Sequence, residues 1–323
     1  MIRINPTPSI VEFNKILGLL VKTNNHYSSA ISLYQQLEFK GIMPSIVTLN
    51  TVINCYCHLG HMTFAFSILG KIFKIGYQPD TITLNTLVKG LCLNGKVKDA
   101  LHFHDHVVAH GFHLDQVSYG TLINGLCKMG ETRAAMQLLR QIEGKLVNTN
   151  VVMYTTIIDS LCEDKFVKDA YQLYFEMIAK RISPNVFTFN ALIYGFCIVG
   201  QLKEAFGLLH EMILKNINPS VYTFNILVDA LCKEGKVKEA KNVIAVMMKE
   251  GLIPDVVTYN SLMDGYCLVN EVNKAKHVFN IIGKRRVIPD VQSYNIIIKG
   301  LCKIKMVDEA LNLFTDMHCK PDT

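Results

Sequence analysis

Apolar residues return along this chain at helical spacing, interrupted by short polar breaks, and residues 221–255 show the rule. Phe224, Leu227, Val228, Leu231 and Cys232 stand at i, i+3, i+4, i+7 and i+8, one stripe of a helix. Lys233-Glu234-Gly235-Lys236 breaks the pattern, with Gly235 supplying a permissive backbone. Val237, Ala240, Ile244 and Met247 make a second apolar face, and Gly251 followed by Pro254 ends it. The spacing predicts two short helices and a turn. Such a hairpin cannot bury both faces alone, so it needs neighbours like itself.

The chain supplies them by repetition. The alanine that closes Lys238-Glu239-Ala240 belongs to a series, Ala65, Ala100, Ala135, Ala170, Ala205, Ala240, Ala275 and Ala310, always 35 residues apart. The cysteine of the first helix recurs with the same period from Cys57 to Cys302, and Asn50, Asn85, Asn190, Asn225, Asn260 and Asn295 share one register. Gly120 and Thr155 fill the two missing slots of that asparagine series. Asn14 precedes Asn50 by 36 residues whereas Ala30 precedes Ala65 by 35, which places an extra residue in the first inter-helix turn, around Thr23-Asn24-Asn25-His26. Nine units follow: 10–45, 46–80, 81–115, 116–150, 151–185, 186–220, 221–255, 256–290 and a shortened 291–323. Residues 1–9 read as the tail of a preceding repeat, since Pro8-Ser9 matches Pro44-Ser45, and show neither a signal core nor a transit helix. The pattern predicts an all-α solenoid of stacked helical hairpins rather than two globular domains.

Composition changes this picture little. Half the residues are hydrophobic, as a stack buried on two sides of every repeat requires, yet no apolar run reaches the roughly 18 residues of a membrane span. The net charge of +6 is a mild basic bias compatible with nucleic acid. Ten cysteines invite a disulfide or metal reading, but no Cys-x-x-Cys occurs. Equivalent points on stacked hairpins lie about 10 Å apart, beyond the roughly 7 Å reach of a disulfide. Small buried thiols packed between helices are the expectation, in a reducing compartment. A small residue at the tenth place of most units (Gly90, Gly125, Ser160, Gly195, Ala230, Gly265, Gly300) would let neighbouring backbones approach. Lys165, Asn270 and Lys305 stand where other units carry the inter-helix glycine, so those turns must close without one.

The 35-residue period, Val-Thr-Tyr-Asn-Ser-Leu-Met-Asp-Gly at 257–265, Leu-Cys-Lys-Glu-Gly-Lys-Val-Lys-Glu-Ala at 231–240 and Ile-Pro-Asp at 253–255 together resemble pentatricopeptide repeats. The likeness extends over all nine units. Tetratricopeptide repeats differ in period and carry a tryptophan signature, and this chain has no tryptophan. The uniform unit length resembles the P class, and the recurrent Leu-Cys-Lys and Tyr-Cys wording resembles the restorer-of-fertility-like branch of plants. The resemblance implies a right-handed superhelical α-solenoid that binds single-stranded RNA, one base per repeat, in organellar RNA processing, stabilisation or expression control.

Tyr222, Asn225, Asp229 and Lys233 form a second face of their helix, spaced 3, 4 and 4, which packing does not require. Repeated in every unit, such a face suits a polymer with one base per unit. Asparagine holds the fifth position at Asn14, Asn50, Asn85, Asn190, Asn225, Asn260 and Asn295, and its amide is both donor and acceptor, as reading a base edge needs. Local backbone bonding near a helix start is the plainer account. The last position of each unit carries Ser45, Asp80, Asp115, Asn150, Asn185, Ser220, Asp255 and Asp290, the preferred helix N-cap set. The resemblance implies that fifth and last residues together select the base, read 5′ to 3′ from the amino end. Asn14 with Ser45 then implies C, or U less well, Asn50 with Asp80 and Asn85 with Asp115 imply U, and Gly120 with Asn150 and Thr155 with Asn185 imply A. Asn190 with Ser220 implies C, Asn225 with Asp255 and Asn260 with Asp290 imply U, and Asn295 with Asp322 would add a U. The implied site is 5′-CUUAACUU(U)-3′.

The resemblance further implies that the second residues sandwich the bases: Val11, Val47, Ile82, Val117, Val152, Phe187, Tyr222, Val257 and Gln292. Branched apolar and aromatic groups suit stacking on a base face, with Gln292 the weak member. Lys22, Lys128, Lys233 and Lys303 at the thirteenth place would meet phosphates, where Leu93, Glu163, Ile198 and Leu268 cannot. His102, His106 and His110 share a helical face, better read as solvated than as a zinc site. No enzyme is expected. The His-x-Glu and Cys-x-x-Cys of zinc deaminases, a phosphate-cradling glycine loop and a nucleophile elbow are all missing from the sequence. No cofactor is expected. The resemblance implies as partners an organellar transcript and a recruited nuclease or other factor, for a monomeric chain acting in mitochondria, with chloroplasts the less favoured organelle. A protein-binding helical scaffold is the alternative.

Overall fold

The computed structural model describes residues 9–24, 26–112, 115–144, 149–284 and 287–318. Residues 1–8 of the tail of a preceding repeat, Asn25 within the turn expected to hold an extra residue, and the partner Asp322 of Asn295 lie outside the described residues. Among the described residues there are eighteen α-helices and no strand. None of these helices is long and apolar enough to cross a membrane. The chain divides into two compact units, residues 1–160 and 161–323.

The first unit contains α1 (Ile10–Asn24), α2 (Tyr27–Phe39), α3 (Ile46–His58), α4 (Met62–Lys74), α5 (Thr81–Leu93), α6 (Val97–Ala109), α7 (Gln116–Lys128), α8 (Thr132–Glu143) and most of α9 (Val151–Glu163). Within it α1, α3, α5 and α7 pack side by side, and each even helix folds back against the odd helix before it. The second unit holds the end of α9, then α10 (Val167–Ala179), α11 (Val186–Ile198), α12 (Leu202–Leu214), α13 (Val221–Lys233), α14 (Val237–Lys249), α15 (Val256–Leu268), α16 (Val272–Lys284), α17 (Val291–Lys303) and α18 (Val307–His318). It repeats the same plan, with α11, α13, α15 and α17 side by side. Each unit is an all-α helical-repeat solenoid.

One repeat shows why these residues form these elements. Ser220 caps α13: its Oγ accepts the Thr223 backbone N–H at 3.3 Å, and the Thr223 hydroxyl accepts the Ser220 N–H at 3.0 Å. Two orphan donors of the first turn are satisfied by that reciprocal pair. Phe224, Leu227, Val228, Leu231 and Cys232 all lie buried. Gly235 then turns left-handed at φ +73°, and the N–H groups of Gly235 and Lys236 close back on the carbonyls of Cys232 and Leu231 at 3.0 and 2.8 Å. That is a Schellman ending, which satisfies carbonyls the helix would leave open. α14 buries Val237, Ala240, Ile244 and Met247, and Val243 with them. Fully burying a side chain such as Leu227 contributes about 1.5–3 kcal/mol. Ala240 has no exposed surface, so a larger group there would have to push the two helices apart.

Two details go beyond the sequence pattern. Lys165, Asn270 and Lys305 close their turns by adopting the glycine conformation themselves, at φ +64°, +60° and +64°. This left-handed backbone costs a side-chain-bearing residue roughly 1–2 kcal/mol. The tenth-place glycines make room for a thiol rather than for bare backbone. A Cβ on Gly90, Gly125, Gly195, Gly265 or Gly300 would fall 2.2–2.7 Å from the sulfur of the cysteine 33 residues earlier. The periodic cysteine and the periodic glycine are thus the two halves of one contact.

Candidate nucleic-acid interface

The fifth residues face the start of the next repeat, where the helix cap stands. In the first unit Asn50 donates from Nδ2 to Asp80 Oδ1 at 3.1 Å, Asn85 to Asp115 Oδ1 at 3.1 Å and Asn14 to Ser45 Oγ at 3.0 Å. In the second unit Asn225 donates to Asp255 Oδ1 at 3.0 Å and Asn260 to Asp290 Oδ1 at 3.1 Å. The fifth and last residues of a repeat are therefore brought together in space although some 30 positions apart in sequence. The same Asp80, Asp115, Asp255 and Asp290 carboxylates cap α5, α7, α15 and α17 by accepting backbone N–H groups. Capping and pairing are done by one oxygen.

A third residue completes each cluster, one that residue type and spacing do not single out. The hydroxyl at the third position of the next repeat donates to the asparagine Oδ1. Thr48 reaches Asn14 at 2.7 Å, Thr83 reaches Asn50 at 2.6 Å, Thr223 reaches Asn190 at 2.7 Å, Thr258 reaches Asn225 at 2.6 Å and Ser293 reaches Asn260 at 2.6 Å. Ser118 makes the same bond to Asn85. All of these hydroxyl residues are fully buried, and Asn50, Asn190, Asn225 and Asn260 are nearly so. The signal available in the sequence is a Thr or Ser every 35 residues, replaced by Met153 after the one repeat whose fifth residue is Gly120. Thr188, which follows Thr155 rather than an asparagine, donates instead to its own cap, Asn185 Oδ1, at 3.2 Å.

Burial alone would raise the four aspartates, but hydrogen bonds outweigh it and hold each carboxyl below its ordinary range. For Asp80 these come from the Thr83 N–H, the Thr83 hydroxyl and the Asn50 amide. Asp115, Asp255 and Asp290 follow the same pattern with Ser118, Thr258 and Ser293. The aspartates stay ionised in neutral solution.

The remaining predicted residues fall as follows. Asn150 caps α9 through the Met153 N–H at 3.1 Å and lies 3.4 Å from Gln116 Oε1 by its Nδ2. Asn185 caps α11 through Phe187 and Thr188, Thr155 is partly buried on α9, and Asn295 is exposed. Val11, Val47, Ile82, Val117, Val152, Phe187, Tyr222 and Val257 are 50–68 % exposed, unusual for apolar groups at regular spacing, and Gln292 is exposed beside them. Lys22, Lys128 and Lys303 are not buried. Lys233 is not free: its Nζ lies 2.6 Å from Asp229 Oδ2, and that bond, set against burial, raises its pKa. His106 and His110 stack at 4.2 Å, while His104 is buried. Among the described residues no group of three or more His, Cys, Asp or Glu could hold a metal ion.

These side chains line a cleft in each unit. In the first, a cleft of about 880 Å³ is lined by Lys89, Val117, Gly120, Lys128, Asn150 and Val152, among others. In the second, a cleft of about 740 Å³ is lined by Tyr222, Asn225, Asp229, Lys233, Val257 and Gln292, among others. Exposed apolar faces alternating with amide and carboxylate groups are what stacked and edge-read bases need.

The profile of the PPR repeat family matches residues 8–58, 44–93, 79–128, 149–198, 184–233, 224–268, 254–303 and 289–323, and a PPR repeat profile matches 117–145. Two Arabidopsis thaliana proteins named as mitochondrial pentatricopeptide repeat-containing proteins, one of them putative, are 40% and 36% identical over 74 residues, 23% of this chain. This chain spans only 12% of the length of each. Its backbone is also similar to a crystal structure of the pentatricopeptide repeat protein PPR10 in complex with an 18-nt psaJ RNA element. The TM-score is 0.62 at 20% identity, covering 97% of this chain and 50% of that one.

Proposed function

The chain belongs to the pentatricopeptide repeat family, and on that premise we propose that it binds single-stranded RNA selectively, one base per repeat. The observation that carries this reading is the hydrogen-bonding capacity left over in the asparagine–aspartate clusters. The asparagine Oδ1 is engaged by the buried hydroxyl, and one Nδ2 hydrogen is engaged by the last residue. One Nδ2 hydrogen and one aspartate oxygen remain, a donor beside an acceptor. Uracil offers the complement, an N3–H next to a carbonyl. Cytosine offers a bare N3, which the carboxylate repels, whereas a serine hydroxyl can donate to it. Asn50/Asp80, Asn85/Asp115, Asn225/Asp255 and Asn260/Asp290 thereby read U, and Asn14/Ser45 and Asn190/Ser220 read C. At Gly120 the missing side chain leaves the first cleft open opposite Asn150, room that suits a purine. Thr155 with Asn185 reads A by the family pattern. The exposed second-position residues sandwich the bases, Lys22, Lys128 and Lys303 meet phosphates, and the site is 5′-CUUAACUU(U)-3′.

This reading makes the chain a monomeric, P-class, restorer-of-fertility-like adaptor. It acts on a mitochondrial transcript by occupancy or by recruiting a nuclease or other factor, with no reaction of its own and no cofactor. PPR10 was crystallised with RNA, and relatives with mitochondrial names support the same assignment. The test is a gel shift of the purified chain with that octamer inside a neutral oligonucleotide, against a scrambled octamer of equal composition. Selective, salt-sensitive binding is the expected result. Equal binding of both RNAs would sink base reading, and no RNA binding would leave a protein-binding scaffold.

A further inference from the structure

The ninth and thirteenth positions of each repeat, on the helical face of the fifth residue, differ in charge from repeat to repeat. In repeats 1–4 they carry Lys22, Lys89 and Lys128 and no carboxylate. In repeats 5–8 they carry Asp159, Glu163, Asp229 and Asp264 against the single Lys233, and in the shortened ninth repeat Lys299 and Lys303. The clefts follow suit. That of the first unit is lined by Lys89 and Lys128 with no acid, whereas that of the second is lined by Glu163, Asp229 and Glu234 against Lys165 and Lys233, Glu234 being paired with Lys236 at 2.7 Å. The Lys233 charge is already met, since Asp229 holds its ammonium at 2.6 Å. The field of Lys89 is felt by its neighbour: His58 is lowered by burial first and by Lys89 second.

We propose that the RNA backbone is held by charge in repeats 1–4 and 9, while repeats 5–8 offer phosphate no net cationic hold and keep the strand by its bases. This deepens the RNA-binding reading and rests on it. A strand would be captured by the lysine-bearing repeats and inspected by repeats 5–8, where a matching base must supply what backbone contacts do not. Binding to wrong sequences is dominated by phosphate contacts. Removing those contacts from repeats 5–8 makes those repeats a filter.

The test is the salt dependence of binding by the full chain and three variants to the RNA 5′-CUUAACUU-3′. Each phosphate contact by lysine contributes about 0.7 to the slope of log K against log salt for a single strand. Lys128→Gln is expected to flatten the slope by about that 0.7. Lys233→Gln is expected to leave it within about 0.2, because the charge it removes never reached the RNA. Asp229→Asn frees Lys233 and is expected to steepen the slope by about 0.7 and tighten binding several-fold at low salt. Equal flattening by Lys128→Gln and Lys233→Gln, or no steepening with Asp229→Asn, overturns the inference. Base selectivity is scored separately with the scrambled RNA, so loss of selectivity with the slopes as described would refute base reading and leave the charge division standing.

Discussion

The contact between Cys162 and Gly195 yields a prediction with its own internal control. A Cβ placed on Gly195 would sit 2.4 Å from the Cys162 sulfur, 2.8 Å from its Cβ and 3.4 Å from its Cα. Comfortable carbon contacts lie near 3.5–4.0 Å. Rotating the thiol away removes only the first clash, so Gly195→Ala must shift α9 against α11. Overpacking of this kind costs about 1–3 kcal/mol. Alanine also gains about 1 kcal/mol of helix propensity over glycine, which would mask part of that cost. Gly207 in the neighbouring α12 cancels the propensity gain: it too is helical, and a Cβ there meets nothing within 4 Å. Gly207→Ala should therefore stabilise by up to about 1 kcal/mol, and the gap between the two variants should be about 1–3 kcal/mol. Urea unfolding followed by far-ultraviolet circular dichroism measures the gap. Amide exchange in α11 localises it, which matters because repeat arrays can unfold in parts. Adding Cys162→Gly to Gly195→Ala should return a favourable coupling energy in a double-mutant cycle. If Gly195→Ala proves as stable as Gly207→Ala, the close approach of cysteine and glycine is not a feature of the folded protein.

Three further outcomes can be checked. Replacing Thr258 by valine removes a buried donor shared by Asn225 and Asp255 and should cost about 1–3 kcal/mol in denaturant unfolding, with weakened U preference at the seventh base. Burial pushes the thiols of Cys92 up to about 11 and those of Cys57, Cys197 and Cys232 up to about 12, so they should react slowly with a thiol reagent at pH 8, whereas Cys302→Ser should remove one equivalent of the fast phase contributed by the exposed Cys302. The depressed carboxyls of Asp80, Asp115, Asp255 and Asp290 stabilise the fold above the unfolded aspartate value of about 3.9, and that contribution is lost as pH falls through their lower folded values. Unfolding free energy should then be flat in these groups from pH 7 to 5 and fall below about 4, less steeply in a variant with all four changed to asparagine, which still caps helices.

Much of the fold was legible because burial repeats with the chain. The stripe through Phe224, Leu227, Val228 and Leu231, the recurrent packing alanine at Ala240 and the left-handed turn at Gly235 each announce themselves by residue type and spacing. The pairing of Asn225 with Asp255 was reachable from the family likeness, and the geometry brings those residues together. What escaped were contacts between residues of ordinary type. Thr258 in a helix's first turn looks like any small polar residue, and only the stacking of α13 on α15 sets its hydroxyl against Asn225. Asp229 and Lys233 were visible as helical neighbours, yet a lysine facing a groove invites a phosphate reading until its Nζ is seen on the carboxylate. Lys165 gives no sign of a left-handed backbone, because the hydrogen bonds of its turn impose that conformation.

The bond from each third-position hydroxyl to the asparagine of the repeat before it has a bearing on how such arrays are cut and rejoined. A segment exchanged as a helical hairpin, 221–255, carries Asn225 and Asp255 but leaves Thr258 behind with the recipient. The next junction then depends on whatever residue the recipient supplies, as the coincidence of Gly120 with Met153 illustrates. Shifting both cuts by three residues, to 224–258, moves asparagine, aspartate and threonine as one piece of the same length. Grafts made on that frame should carry their base preference with them, and insertion or loss of repeats by recombination would preserve function best when the crossover falls just after the third residue. The span that keeps these three bonded side chains together is offset by three residues from the helical hairpin.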